Sequence, residues 1–271
     1  MYDSHAHLDD PETTVPQMLA LLAQLSDFQG AMTAGYGPER FAASRAICAG
    51  DPRIVRSVGL HPWWLVGRTE AEREQGWLDL LTELRADGAV QAVVAVGEIG
   101  LDKGLRERWS LEQQAQWFER GLRLSLEVRL PVVLHIVGWY GSALEILRRV
   151  APRWRGVVHR WSGPPELVSE FAALGLHLSL SLEPRQNHAK RERIAKAVPR
   201  NQLLIETDWP CMGLAYPDAL MAARQMLNQV AQWRDEDLAS LRTAVYSNAK
   251  MLYLGRSDHE YAFQGPTQSA T

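Results

Sequence analysis

Cysteine is nearly absent from this chain: Cys48 and Cys211 are the two in 271 residues. That excludes a disulfide framework, leaves no cysteine cluster for a structural zinc, and points to a reducing, cytoplasmic setting. No apolar run approaches the ~18 residues a membrane span needs, so no membrane association is expected. The first residues lack a charged stretch followed by an apolar one, so no secretory leader is expected either. Neither sign of charge dominates. With 29 Lys and Arg against 32 Asp and Glu, the formal net charge of −3 argues against coating nucleic acid with the whole surface. A local basic rim holding a nucleic-acid substrate stays open. Linkers, low-complexity segments and charge blocks are missing as well.

What is present is a regular alternation. Short β-branched runs fall at 1–5, 29–34, 54–60, 90–98, 132–136, 157–161, 177–182 and 203–208, with amphipathic stretches between them. Helices are expected at 110–130 and 140–150. Ser110 with Gln113 forms an N-terminal capping box for the first, and Pro131 stops it where the next strand begins. Gly163-Pro164-Pro165 marks a loop leading into a helix at 166–174. Eight βα units over ~255 residues are the signature of a single (β/α)8 TIM-type barrel, spanning residues 1–256. A doubly wound open sheet is the alternative. Residues 257–271 lack periodicity and read as a flexible C-terminal tail.

The chemistry sits at the ends of the strand-like runs. In Asp3-Ser4-His5-Ala6-His7 the two histidines are two residues apart, so on a strand they share one face with Asp3 one step behind. Glu98, His135, His159 and Asp208 each close a further apolar run. In a barrel, those ends build the active face. Any one of these residues alone reads as a hydrogen-bonded structural group or a helix cap. Together, buried carboxylates and imidazoles would cost several kcal/mol each without a compensating cation. Six protein ligands exceed the three usual at one catalytic zinc, so two divalent ions sharing a carboxylate fit better, with a bridging hydroxide as the nucleophile.

These motifs resemble those of the TatD-type metal-dependent deoxyribonucleases of the amidohydrolase superfamily. The resemblance rests on Asp3-Ser4-His5-Ala6-His7-Leu8-Asp9, Gly59-Leu60-His61-Pro62, Gly97-Glu98-Ile99-Gly100-Leu101-Asp102, Leu130 to His135, Val158-His159 with Ser162-Gly163, and Glu206-Thr207-Asp208 with Pro210. It extends to about Leu254, with Asn248 ahead of Leu252 as a closing element. It implies that His5, His7 and Asp208 hold one metal and His135 and His159 the second, with Glu98 bridging. Asp208 would accept the proton of the attacking water. The reaction implied is hydrolysis of DNA phosphodiesters with Mg²⁺, Mn²⁺ or Zn²⁺, and the imidazole-rich set suits zinc at least as well as magnesium.

Some positions depart from the family pattern. Val137 stands two residues after His135, where an arginine is usual. Trp161 replaces a phenylalanine after His159, Arg160 stands between them, and Trp209 replaces a small residue before Pro210. The metal core is thus intact and the substrate rim rewritten. His61 reads as a contact to substrate or to a ligand, with a ligand role and a purely structural role both open. Asp3 and Glu206, one step deeper, read as supports behind the ligands or as internal ion-pair partners, and Asp102 either orients a neighbour or ends its turn. Trp63, Trp64, Trp139, Trp161 and Trp209 lie near the active face; Trp161 and Trp209 are the best candidates for substrate contact. Arg185, after the seventh strand, could replace the missing arginine, whereas Lys190, Arg191, Arg193 and Lys196 read as a solvated helix face. Two substrate classes follow: DNA, or a small ester, amide or aminoacyl-tRNA ester attacked by the same centre. No obligate protein partner is evident. A structural metal on a partner-binding face is disfavoured because such sites are closed and cysteine-rich.

Overall fold

The computed structural model describes residues 1–86, 93–182 and 187–255. Eight parallel strands run in chain order around it: β1 (Tyr2–Ala6), β2 (Gly30–Thr33), β3 (Ile54–Val58), β4 (Val93–Asp102), β5 (Val132–Val137), β6 (Gly156–Val158), β7 (Leu176–Leu180) and β8 (Leu203–Ile205). Each pairs with the next. The outer edges meet where Asp208 N donates to His5 O at 2.9 Å, His7 N to Trp209 O at 2.8 Å and Ser4 Oγ to Ile205 O at 3.0 Å. This is the (β/α)8 barrel that the alternation predicts.

The helices are α1 (Val15–Ala23), α2 (Pro38–Gly50), α3 (Pro62–Val66), α4 (Glu70–Arg85), α5 (Leu111–Glu127), α6 (Tyr140–Val150), α7 (Val168–Ala173), α8 (His188–Ala197), α9 (Tyr216–Arg234) and α10 (Leu238–Tyr253). The Ser110–Gln113 capping box opens α5 as expected. Its buried positions, among them Gln114, Trp117, Phe118, Gly121 and Leu122, recur at helical spacing and face the sheet. Among the described residues no helix is long and apolar enough to cross a membrane. The tail expected over 257–271 lies outside the described residues.

Strand alternation sorts the side chains. On β5, Val132, Leu134 and Ile136 pack into the layer between sheet and helices, while Val133 joins an interior cluster with Met32, Ala95, Val157 and Leu204. One step further along the same inward faces come His135, His159 and Glu206, all buried. The barrel therefore has an apolar floor and a polar mouth.

One boundary differs from expectation in a way that matters. Strand β4 continues through Glu98 to Asp102 instead of ending at Glu98, and its register against β5 slips between Val96 and Ile99. This bulge re-aims Glu98 into the mouth. Gly97 and Gly100 make it possible, with φ of +151° and +157°. A Cβ on them would stand 2.4 Å from Val133 O and 1.8 Å from His135 O. Residues 90–92 of the expected run lie outside the described segments.

Candidate metal centre

Glu98 is fully buried, and its two oxygens face different groups. On one side, Oε1 lies 3.4 Å from His5 Nε2 and 3.2 Å from His7 Nε2, and these nitrogens stand 3.7 and 3.8 Å from Asp208 Oδ1. On the other, Oε2 lies 2.8 Å from His159 Nε2, 3.6 Å from His135 Nδ1 and 3.7 Å from His61 Nε2. The six residues expected to form the metal site are thus brought together from β1, β4, β5 and the segments just beyond β1, β6 and β8.

Among the rings, His135 Nδ1 is in hydrogen-bond contact with His159 Nε2 at 3.1 Å and with His61 Nε2 at 3.3 Å. Despite the short distances, neither Glu98 oxygen and neither ring nitrogen of His5 makes a directed hydrogen bond. Ligand atoms of His5, His7 and Asp208 all lie within 4.8 Å of one another, as do those of His61, Glu98 and His135. Leaving so many buried polar atoms without partners costs about 1–3 kcal/mol each. Oxygen and imidazole donors converging in this way fit divalent cations. The charges agree. Burial would push the Glu98 carboxyl up, yet His159, His5 and His61 hold it well below its usual range. Burial likewise opposes ionisation of Asp208, and His159, His5, His7 and Arg160 overcome it. In turn, His159 resists burial because Glu98, Glu206 and Asp208 raise its pKa well above the usual value. A proton on His159 meets part of the negative charge that a cation would meet.

A second ring of groups orients the first. Asp102 Oδ2 lies 3.2 Å from His135 Nε2 and accepts from Trp63 Nε1 at 2.6 Å, while Oδ1 accepts from Gly104 N at 2.7 Å. Burial opposes these bonds, which still bring its carboxyl down to about 2. Asp102 therefore both orients a neighbour and caps its turn. Gln114 on α5, which sequence reasoning missed, clamps the backbone of Asp102 through N (2.7 Å) and O (3.1 Å). Glu206 Oε1 lies 3.6 Å from His159 Nδ1, and its other oxygen accepts from Ser179 Oγ. Asp3 is no ion-pair partner. It accepts from Thr207 N and Oγ1 and from Tyr216 OH, tying β1 to the segment after β8, and burial raises its carboxyl to about 6 despite those bonds.

The expected substrate contacts fare differently. His61 lies inside the donor cluster, 3.3 Å from His135 Nδ1. Its own Nδ1 accepts from Trp63 N at 3.0 Å, because His61 caps α3. Trp161 and Trp209 are core aromatics: Trp161 packs on Tyr140 and Phe171, and Trp209 packs on Tyr216 with Nε1 donating to Leu214 O. Their rings fill space beside the mouth, so neither offers a stacking face. The tryptophan that does is Trp63, 56% exposed. Arg185 lies outside the described residues. Lys190 is no solvated cation, since its Nζ reaches Ser162 O at 2.7 Å. Arg160, whose role the motif comparison left unassigned, donates from Nη1 to Asp208 Oδ2 at 2.9 Å. Arg160 and Asp208 both hold left-handed backbone, with φ of +45° and +50°, a strain that gathers at functional sites.

The chain is similar to known proteins over nearly its whole length. A family model described as TatD related DNase matches residues 2–254. The uncharacterized metal-dependent hydrolase YjjV of Escherichia coli is 30% identical over 273 residues, covering 93% of this chain and 96% of that protein. The 3′-5′ ssDNA/RNA exonuclease TatD of Cronobacter sakazakii is 31% identical over 182 residues, covering 63% and 69%. The crystal structure of YjjV matches with a TM-score of 0.77 at 26% identity, covering 94% of this chain and 98% of that one. The match spans nearly the whole chain in sequence and in fold, and the chain belongs to the TatD-related DNase family.

Proposed function

We propose that this protein is a dinuclear metal-dependent phosphodiesterase acting on single-stranded nucleic acid. Glu98 carries the reading: one fully buried carboxylate presents each oxygen, without a directed hydrogen bond, to a separate group of donors. Family membership makes the chain a metal-dependent hydrolase of ester bonds. Relatives named as 3′-5′ ssDNA/RNA exonucleases support nucleic acid as the substrate.

In this reading His5, His7, Asp208 and Glu98 would hold one ion, and His135, His159 and Glu98 the other. Divalent ions held there would polarise a phosphoryl oxygen and make water acidic enough to attack near neutral pH. Zinc or manganese suits the imidazole majority better than magnesium. The chain's own groups do the rest. Asp208, kept ionised by the surrounding positive charge, takes the water's proton as the water oxygen bonds to phosphorus and the bond to the leaving oxygen breaks. Arg160 fixes the second oxygen of that carboxylate. His61 is a donor here. With Nδ1 accepting from Trp63 N, the neutral ring carries its proton on Nε2, which suits an oxygen of the substrate and not a cation.

A smaller, less anionic ester is the second reading, favoured by Val137, 39% exposed at the rim where the family carries a cation. One experiment separates the two. Protein reconstituted with zinc or manganese is assayed on labelled single-stranded oligonucleotides and on a panel of lactones, amides and aminoacyl esters, beside Glu98→Ala. The proposal expects metal-dependent release of nucleotides that Glu98→Ala abolishes. Turnover confined to the ester panel establishes the second reading, and no metal-dependent turnover anywhere overturns both.

A further inference from the structure

Arg160 and Trp161, two of the residues by which this chain departs from the family's motifs, line one small cavity beside the metal centre. Ser162, Ser181 and Arg191 complete its polar wall over an apolar floor. The cavity leaves about 10 Å³ for the centre of a water-sized sphere, room for a single oxygen atom. Trp161 Nε1 and Ser181 Oγ are buried on it without a hydrogen-bond partner, in residues only 3% and 7% exposed. The Trp161 ring cannot swing away to satisfy its N–H, because Tyr140 and Phe171 fix it on two sides. A phenylalanine at this position would fill the same space and leave no orphaned donor.

The wall offers an indole N–H and a hydroxyl, flanked by Arg160 and Arg191, whose side chains have partners of their own. Ser162, the other polar neighbour, is engaged with Tyr140 OH at 2.8 Å and with Lys190 at its carbonyl. A water molecule held here would accept from the indole N–H and donate to Ser181 Oγ, whereas an anionic oxygen would accept from both. An anionic oxygen needs only donors. Arg160 connects the cavity to the centre, since its guanidinium lies on the wall while Nη1 holds Asp208, and its side chain remains 31% exposed.

We propose that this cavity is a phosphate subsite: one oxygen of a substrate phosphate beside the scissile bond enters it and accepts from Trp161 Nε1 and Ser181 Oγ, with the rest of the group lying over Arg160. The assignment rests on the phosphodiesterase reading. It also explains how a chain with Val137 in place of an arginine holds an anionic strand: the cation and its donors come from the segments after β6 and β7 instead of from β5.

The test compares the metal-loaded full chain with Trp161→Phe, which removes one N–H and keeps the ring, and Ser181→Ala. On a single-stranded oligonucleotide each variant raises KM about ten-fold or more and leaves kcat within about two-fold, as expected for a lost bond to a charged oxygen. A second measurement needs no turnover. Inorganic phosphate raises the Tm of the metal-loaded wild type, and its apparent Kd from that titration weakens about ten-fold in both variants. Unchanged KM and phosphate Kd in both variants overturn the proposal, as does a lower Tm with neither quantity altered, which marks a structural water pocket. If the wild type hydrolyses no phosphodiester while its phosphate Kd still depends on Trp161 and Ser181, the subsite stands and the nuclease reading fails.

Discussion

Glu83 and Glu98 are both buried carboxylates in the same barrel, and they are treated in opposite ways. Glu83 on α4 lies between the sheet and the helices. Its Oε1 takes a short bond from Arg56, itself fully buried on β3, and its Oε2 accepts from Arg45 on α2 at 2.9 Å. Each oxygen thus has a directed, charged donor, and the cluster stitches three elements together. Glu98 is surrounded by imidazoles yet has no directed bond on either oxygen. The chain completes the first environment itself and leaves the second to be completed by ions. Buried charge of the first kind supports the fold, and of the second kind is kept in place for chemistry.

The contrast breaks first if activity does not follow the mouth of the barrel. Asp208→Asn should lower kcat by about 10²–10⁴-fold, the usual worth of a positioned base, with KM little changed. Steady-state kinetics on the metal-loaded enzyme check this; a near-normal kcat would place the proton acceptor elsewhere. Next in size is the structural cluster. Arg56→Met strands Glu83 beneath the helices with only the half-exposed Arg45, and removing one partner of a buried pair costs about 3–5 kcal/mol. Urea denaturation should show that loss, while activity per folded molecule stays unchanged.

Metal sharpens the comparison. In chelator-treated protein His159, His5 and His61 favour the ionised Glu98 carboxylate, so Glu98→Gln, which keeps the shape and removes the charge, should lower stability. With zinc or manganese restored the gap should widen, because ions that bind only the folded state stabilise the wild type more. Thermal melts of both proteins with and without metal give the four numbers needed. A Glu98→Gln protein that is more stable than the wild type without metal would mean that burial outweighs the imidazoles around this carboxylate.

How much of this was legible in the sequence depends on the scale of the interaction. Strand alternation and the turn signals around Ser110, Pro131 and Gly163 are local, and they yielded the eight strands and the helices between them. The residues His5, His7, Glu98, His135, His159 and Asp208 were readable because each stands at or just past the end of an apolar run, where a barrel places its active face. Less readable was what depends on side chains meeting across elements. Nothing near Gln114 in sequence announces that it clamps Asp102, and the periodicity of α5 explains the position equally well as core. Trp161 and Trp209 lie as close to ligands in sequence as Trp63 does to His61, yet only packing decides that the first two are enclosed and the third is open. The left-handed backbone that turns Arg160 toward Asp208 was likewise hidden, since arginine carries no propensity for it.

The smallest expected effect concerns Asp102, and it separates the two halves of the centre. Asp102 stands behind His135 alone, on the Glu98 Oε2 side; the group of His5, His7 and Asp208 has no contact with it. Asp102→Asn keeps an acceptor for Trp63 Nε1 and Gly104 N, so the fold and the β4 turn should survive. What it removes is the charge that orients His135 through Nε2 and leaves Nδ1 facing Glu98. Loss of such a partner typically weakens metal affinity or activity by about 10–100-fold. That loss should fall on one half only. At limiting zinc, elemental analysis should find a second equivalent in the wild type that Asp102→Asn fails to retain, while the first stays bound. Loss of both equivalents together would mean that Glu98 couples the halves so tightly that the centre fills as a unit. Retention of both would show that packing around His135, and not the carboxylate behind it, holds the ring in place.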